Sequence, residues 1–326
     1  MKKYKVLSLF SGCGGLDLGF QGGFKFNGKE YLSNKFEMVW SNDIDKSACL
    51  TYRNNFKHPI VCADIREILS SEQDSPSHDI IPSEVDVILG GFPCQDFSHA
   101  GKRKGFSSSR GTLYQSMCSL IQTKSPSLFM AENVRGLLTM DGGKSIKKIV
   151  SDFEEIGYNV SYKLLLSSDF GVPQNRERVV IIGTKKGSLQ KFDFNSIPIV
   201  NDEELTLVKT IGDLEHKLEG EVQNHFWSKA KKNKGQGNNS VDKDKPSPTM
   251  RSEHHGNIEF HWNNKRRLSA REAARIQSFP DDFIFYPSTS AAYKQIGNAV
   301  PPVLSWHIAK SIESFLDSQT NYVSTG

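Results

Sequence analysis

From its first residues the chain alternates short apolar runs with stretches whose apolar positions recur every three or four residues. KYKVLSLF (3–10), FEMVWS (36–41), PIVC (59–62), VDVILGG (85–91) and SLFMAEN (127–133) read as strands. DKSACLTYRNNF (45–56) reads as a helix. In RGTLYQSMCSLIQ, Leu113, Met117, Leu120 and Ile121 share one helical face. In KSIKKIVSDFEEIG, Ile146, Ile149, Val150, Phe153 and Ile156 do the same. Strands that are apolar throughout and alternate with helices predict a parallel sheet covered on both faces. YNVSYKLLL (158–166) and RVVIIGT (178–184) follow with no helix between them, so they are expected to run antiparallel.

The pattern fades after about residue 186. Residues 187–262 are polar and without a clear period, and WSKAKKNKGQGNNSVDKDKPSP (227–248) reads as loop. Order returns at LSAREAARIQSF, where Ser269 and Glu272 fit a capping box. A last helix is expected from Pro301–Pro302, carrying Val303, Leu304, Ile308, Ile312 and Phe315 on one side. The expected division is a catalytic and cofactor-binding unit over 1–186, a target-binding unit over 187–287, and a C-terminal segment, 288–326, that returns to the first.

Composition narrows the class. With 326 residues, 37% hydrophobic and 24% charged, the chain is expected to be a globular protein with a substantial core. No apolar run approaches the roughly 20 residues of a membrane span, and the protein is expected in the cytoplasm. The five cysteines, at 13, 49, 62, 94 and 118, form no C-x-x-C pair and no zinc-like spacing with histidine. Neither a metal nor a disulfide framework is expected. The net charge of +4 is compatible with a nucleic-acid partner without demanding one.

Candidate chemistry gathers at strand ends. FSGCGGLDLGF follows the first strand, and its glycines, including Gly12 and Gly14, would let a ligand approach the backbone. They do not fit the G-x-G-x-x-G spacing of dinucleotide sites. Asp43 ends the second strand and Asp64 the third. An acid at the first position can hold both hydroxyls of a ribose, and one at the second can accept from an adenine amino group. Each alone is commonly a helix cap. Together they point to an adenosine-containing cofactor without a pyrophosphate, S-adenosyl-L-methionine foremost.

Cys94 closes the fourth strand, in GGFPCQDFSHAGKRKGF. A lone Pro-Cys is usually structural, but a thiolate beside cations is a strong nucleophile. Glu132, in AENV, ends the fifth strand, and Gln174, Arg176 and Arg178 in QNRER fall on one side by alternation. A thiol, a carboxyl and two guanidiniums would then converge at one sheet edge.

GFPCQDFS, AENVRG, QNRERVVIIG, RRLSAREAARIQSFPDDF and AYKQIGNAVPP, in this order after FSGCGG, resemble the motif series of the DNA (cytosine-5) methyltransferases, in particular the bacterial restriction-modification type. The resemblance covers 4–184 and about 246–310. It implies a Rossmann-like methyltransferase sheet, an α/β fold of six parallel strands and one antiparallel, with a small target-recognition domain. By position, Phe10 would pack on the adenine, Asp43 hold the ribose, Ile44 cover the base, and Asp64 and Ile65 address the adenine. Gly91, Pro93, Leu113, Asn298 and Val300 would line the cofactor pocket.

The same resemblance implies a mechanism. Cys94 would add to C6 of the cytosine, Glu132 would serve N3 and the exocyclic amine, and Arg176 would polarise O2 and favour the thiolate. Arg178 would orient Glu132 or the loop, and Asn133 would hold the Pro93–Cys94 backbone. The base must leave the duplex to be reached. Gln236 would fill the gap, although GQG reads equally well as flexible loop. Lys102, Arg103 and Lys104 would meet phosphates, with Arg110 in support. Thr249 is the candidate phosphate or recognition contact, followed here by Met250. The protein is expected to act as a monomer on double-stranded DNA in a short sequence, protecting host DNA. The alternatives are a tRNA-directed relative, a noncatalytic binding protein on the same fold, and a nucleotide-dependent dehydrogenase. The missing G-x-G-x-x-G counts against the last.

Overall fold

A computed structural model describes residues 3–74, 80–93, 112–200, 205–231, 238–252 and 258–323. The chain opens with β1 (Tyr4–Leu9), α1 (Gly15–Gln21) and a hairpin of β2 (Phe24–Phe26) and β3 (Lys29–Tyr31). β4 (Phe36–Asp43), α2 (Lys46–Asn55), β5 (Ile60–Cys62), α3 (Ile65–Asp74) and β6 (Val87–Gly90) follow. Then come α4 (Thr112–Lys124), β7 (Leu128–Val134), α5 (Lys144–Glu155), β8 (Tyr158–Leu166), β9 (Gln174–Asn175) and β10 (Glu177–Lys185). The remainder holds α6 (Leu207–Ile211), β11 (Ser247–Pro248), α7 (Ala270–Ile276), α8 (Thr289–Asn298) and α9 (Pro302–Val323).

Seven strands form one sheet in the order β5-β4-β1-β6-β7-β10-β8. β10 is antiparallel to both its neighbours, and the other recorded pairs of this sheet are parallel. The expected strand pair at 158–166 and 178–184 is therefore antiparallel, and β10 lies one strand in from the edge. Strand succession reverses between β1 and β6. In open α/β sheets that reversal leaves a crevice beyond the carboxyl ends of the two strands.

The apolar runs are buried on both faces, as their lack of alternation requires. Val87, Leu89, Met130, Val180 and Ile182 point to one side, where α1 and α9 cover them. Ile88, Phe129, Val179 and Ile181 point to the other, under α3, α4 and α5. α9 lays Val303, Leu304, Ile308 and Ile312 on the sheet, each fully buried. At ~1.5–3 kcal/mol per buried aliphatic side chain, that one stripe is a large part of what fixes the C-terminal segment.

The stretch that reads as irregular has a core of its own. Leu207, Ile211, Val241, Met250, Ile258 and Leu268 pack with α7, with Phe279, Phe283 and Phe285, and with Tyr293 and Ile296 of α8. Two buried arginines take the place of regular backbone pairing. Arg271 donates to the carbonyls of Gln223, Pro280 and Phe283, and Arg267 to those of Ala230, Lys231 and Ile258. The capping box forms as expected: Ser269 Oγ accepts the Glu272 N–H, and Glu272 accepts the Ser269 N–H. Among the described residues no helix is long and apolar enough to cross a membrane.

Candidate active site at the switch point of the sheet

Two cavities open where the strand order reverses. The first, of ≈ 540 Å³, lies over the carboxyl ends of β1, β4 and β5. Phe10, Gly12, Asp43, Ile44, Asp64 and Ile65 line it on one side. Gly91, Pro93, Leu113, Asn298 and Val300 line the other. Its volume falls within the several hundred Å³ usual for a small-molecule site. The sequence therefore brings eleven of its twelve expected cofactor residues to one cavity.

Gly14 is the exception and a correction. It lies outside this lining, in the left-handed region at φ 95, as the N-cap of α1. A Cβ there would stand 2.2 Å from the Phe56 ring. Its lack of a side chain meets the demands of packing and helix entry.

The acids are held differently from each other. Asp43 accepts the N–H of Gly12 through Oδ2 and of Asp45 through Oδ1, each at 2.8 Å. Burial pushes its carboxyl above the usual range. Asp64 accepts the backbone N–H of Arg66 at 2.9 Å and is paired to the Arg66 guanidinium, which holds its carboxyl below the usual range. It reaches the cavity already ion-paired, so it is not the free acceptor that its strand-end position suggests. Arg66 and Lys294, which pairs with Asp45 at 2.6 Å, also line this cavity. Neither is marked by sequence spacing.

An adenosine cofactor fits this donor set. Asp43 retains lone pairs for hydroxyls, and the exposed Ile44 offers an apolar face. Gln295 donates its Nε2 to the Tyr286 carbonyl, which leaves Oε1 buried at the cavity wall with no hydrogen-bond partner.

The second cavity, of ≈ 420 Å³, shares Pro93, Glu132, Ser252 and Asn298 with the first. Glu132 and Arg178 form its floor as a mostly buried ion pair, Nε to Oε1 at 2.7 Å. Burial lowers the Arg178 guanidinium from its ordinary value, and the Glu132 charge opposes that shift. Asn133 donates its side-chain N–H to the Phe92 carbonyl at 3.0 Å, the peptide oxygen before Pro93. A Cβ at Gly91 would lie 3.4 Å from Glu132 Oε2, so glycine leaves that carboxyl room.

Arg176 is placed against expectation. Its guanidinium donates to the carbonyls of Met250, Gly297 and Ala299, and the side chain is buried. A guanidinium so committed to backbone is not poised to polarise a base carbonyl. Arg178, paired with Glu132, lines the same cavity without such backbone commitments to the far wall. Alternation also breaks here, because Arg176 falls between β9 and β10. The Thr249 hydroxyl donates to the Asn175 carbonyl at 2.8 Å. Its one proton is therefore committed and is not available for a phosphate. Cys94, Lys102, Arg103, Lys104, Arg110 and Gln236 lie outside the described residues. Arg251 and Ser252, which sequence reasoning missed, line the second cavity, and the described residues contain no cluster of three metal-ligating side chains.

A doubly wound sheet, a small-molecule cavity beyond its strand ends with two acids on its lining, and an ion-paired carboxyl where that cavity meets a second fit a group-transfer enzyme of the methyltransferase class. Residues 4–314 match the model of the C-5 cytosine-specific DNA methylases, and the chain belongs to that family. It is a DNA (cytosine-5)-methyltransferase, and its methyl donor is S-adenosyl-L-methionine. It is 39% identical to the type II methyltransferase M.NgoFVII of Neisseria gonorrhoeae, over 95% of this chain and 86% of that one. To the type II methyltransferase M.FnuDI of Fusobacterium nucleatum it is 37% identical, over 96% and 95%. Its fold is similar to that of the S. pombe Dnmt2 methyltransferase, with TM-score 0.69 and 18% identity, over 96% of this chain and 99% of that one.

Proposed function

We infer that the enzyme methylates C5 of a cytosine flipped out of a short duplex sequence, through covalent addition of Cys94 to C6. The observation that carries this reading is the meeting of the two cavities at Pro93 and Glu132, with Arg178 on the carboxyl. On this reading the first chamber takes the donor and the second the base. The residue after Pro93 is Cys94.

C5 of cytosine is too weak a nucleophile to attack a sulfonium methyl group unaided. Bound S-adenosylmethionine supplies that methyl group as an electrophile. The Cys94 thiolate forms the S–C6 bond, and the electron pair of the C5–C6 double bond moves toward C5, N3 and O2. Glu132 addresses N3 and the exocyclic amine. Arg178 addresses O2 while fixing Glu132, and Asn133 fixes the peptide that presents Pro93 and Cys94. C5 then takes the methyl group as the methyl–sulfur bond breaks, its electron pair staying on the sulfur of the departing S-adenosylhomocysteine. The C5 proton leaves to solvent, the double bond reforms and the thiolate departs from C6. Proton assistance of the kind assigned to Glu132 is typically worth ~10²–10⁴-fold.

Residues 187–287 serve as the target-recognition unit on this reading, and Lys102, Arg103, Lys104, Arg110 and Gln236 serve the DNA. The enzyme acts as a monomer in the cytoplasm and protects host DNA against a partner nuclease.

The test is transfer of a tritiated methyl group from the labelled donor to long unmethylated duplex DNA and, separately, to tRNA. Transfer to DNA is expected, with Cys94→Ser losing at least a thousandfold while still binding DNA. Transfer to tRNA alone, or full activity in Cys94→Ser, would contradict the reading.

A further inference from the structure

Met250, beside the second cavity, is gripped on both sides of its peptide. Its N–H donates to Gln174 Oε1 at 2.8 Å, and its carbonyl accepts from Arg176 Nη1 at 2.8 Å. Gln174 donates through Nε2 to Gln277 Oε1. Gln277 in turn donates to the Ala299 carbonyl at 2.6 Å, and that same oxygen accepts Arg176 Nη2 at 3.1 Å. The path closes on itself: Met250, Gln174, Gln277, Ala299, Arg176, Met250. Every side chain in it is buried, with Gln174 and Gln277 at 0% exposure and Arg176 and Met250 at 1%.

The ring joins two walls, each of which reaches both cavities through one shared residue, Ser252 on one and Asn298 on the other. On one side is the segment Thr249–Ser252, which lines the second cavity. On the other is Asn298–Val300, which lines the first. They also touch: a Cβ on Gly297 would lie 2.4 Å from the Ser252 N–H nitrogen. Because the side chains are buried, a bond lost on the Met250 and Gln174 side of the ring is not replaced by water. Neither wall can shift without either breaking buried hydrogen bonds or moving the other.

Resting on the DNA methyltransferase reading, we propose that Gln174, Arg176 and Gln277 are positioning residues that couple the two cavities, so that filling the base side tightens the donor side. None of them needs to touch a ligand to act. Coupling between two sites is reciprocal and is typically 5–150-fold. The ring thus links recognition of a target to retention of the methyl donor.

The experiment measures binding of S-adenosylhomocysteine to the full chain, with and without saturating long unmethylated duplex DNA that contains every four-base-pair sequence. The wild-type preparation is first shown to methylate that DNA; failure there counts against the functional reading, not the coupling. DNA is expected to tighten S-adenosylhomocysteine binding at least fivefold. Gln277→Met, which keeps the side chain's length but loses both polar ends, and Arg176→Lys, which keeps the charge but loses the fork, are expected to cut that ratio threefold or more in whichever variant folds by circular dichroism. A smaller fall in a folded variant, or a wild-type ratio near one, overturns the proposal. Failure of both variants to fold overturns it too, in favour of a purely structural ring.

Discussion

At the scale of single residues, the spacing of a motif fixes where a side chain starts but not what claims it. Arg176 and Arg178 stand two apart in one motif, and from sequence alone they have the same prospects. Three backbone carbonyls claim the first and a carboxylate the second. The strand-end acids divide likewise, Asp43 held by backbone N–H groups and Asp64 by Arg66. Asp17 shows what burial does to a carboxyl that no ligand claims. It sits under the cofactor turn, bonded to Ser8 and Tyr52, and burial pushes it up to about 6 from 3.8. A carboxyl raised in the folded state favours folding below its unfolded pKa and loses that contribution as pH climbs through the folded value. His58, which is bonded to Tyr52, is pushed the other way, to about 4, and therefore favours folding above its unfolded value of 6.5. Asp17→Asn should therefore compare better with wild type at pH 7.5 than at pH 4.5. Between those two pH values the change should be about 2 kcal/mol, since pH 4.5 to 7.5 spans about one and a half units of the shift at 1.36 kcal/mol each. Urea titrations of both proteins at the two pH values measure it, and a difference that does not change with pH would show that Asp17 is not the titrating group.

At the scale of elements, the apolar runs were enough to place the strands of the large sheet, because strands buried on both faces leave no other pattern. The 158–166 run and the observed β8 coincide. The hairpin β2–β3 was missed, although Asn27–Gly28, with φ of 48 and 74, is the residue pair that such a turn favours. Strands of three residues give too short a stretch for period two to register. Contacts between elements are not legible in sequence at all. Gly183 of β10 faces the Phe129 ring so closely that a Cβ would lie 2.0 Å from it. Gly183→Ala is expected to cost about 1–3 kcal/mol through overpacking. Denaturant unfolding reads this directly, and a midpoint equal to wild type would mean that the ring has room to retreat.

At the scale of the molecule, the sheet and the cofactor cavity were written in the chain's pattern, and the second half of the protein was not. Residues 187–262 carry no clear period because part of their backbone is held not by regular pairing but by the buried Arg267 and Arg271, whose guanidiniums bind the carbonyls of Gln223, Ala230, Lys231 and Ile258. A guanidinium reads as surface whether it faces water or backbone. The same residues bring Met250 against Arg176 and set Ser252 between the two cavities. This segment therefore shares a wall with both cavities, which explains how a stretch with so little periodicity belongs to the candidate site.

The proposed reaction of this site is methylation of cytosine C5 within one short duplex sequence. Bisulfite sequencing of DNA from cells expressing the protein, beside cells expressing Cys94→Ser, reads that reaction and its context together. Cytosines that resist conversion are expected in a single short sequence context, present with the wild-type chain and absent with the variant. Complete conversion in both, or protection that follows no sequence context, would contradict it.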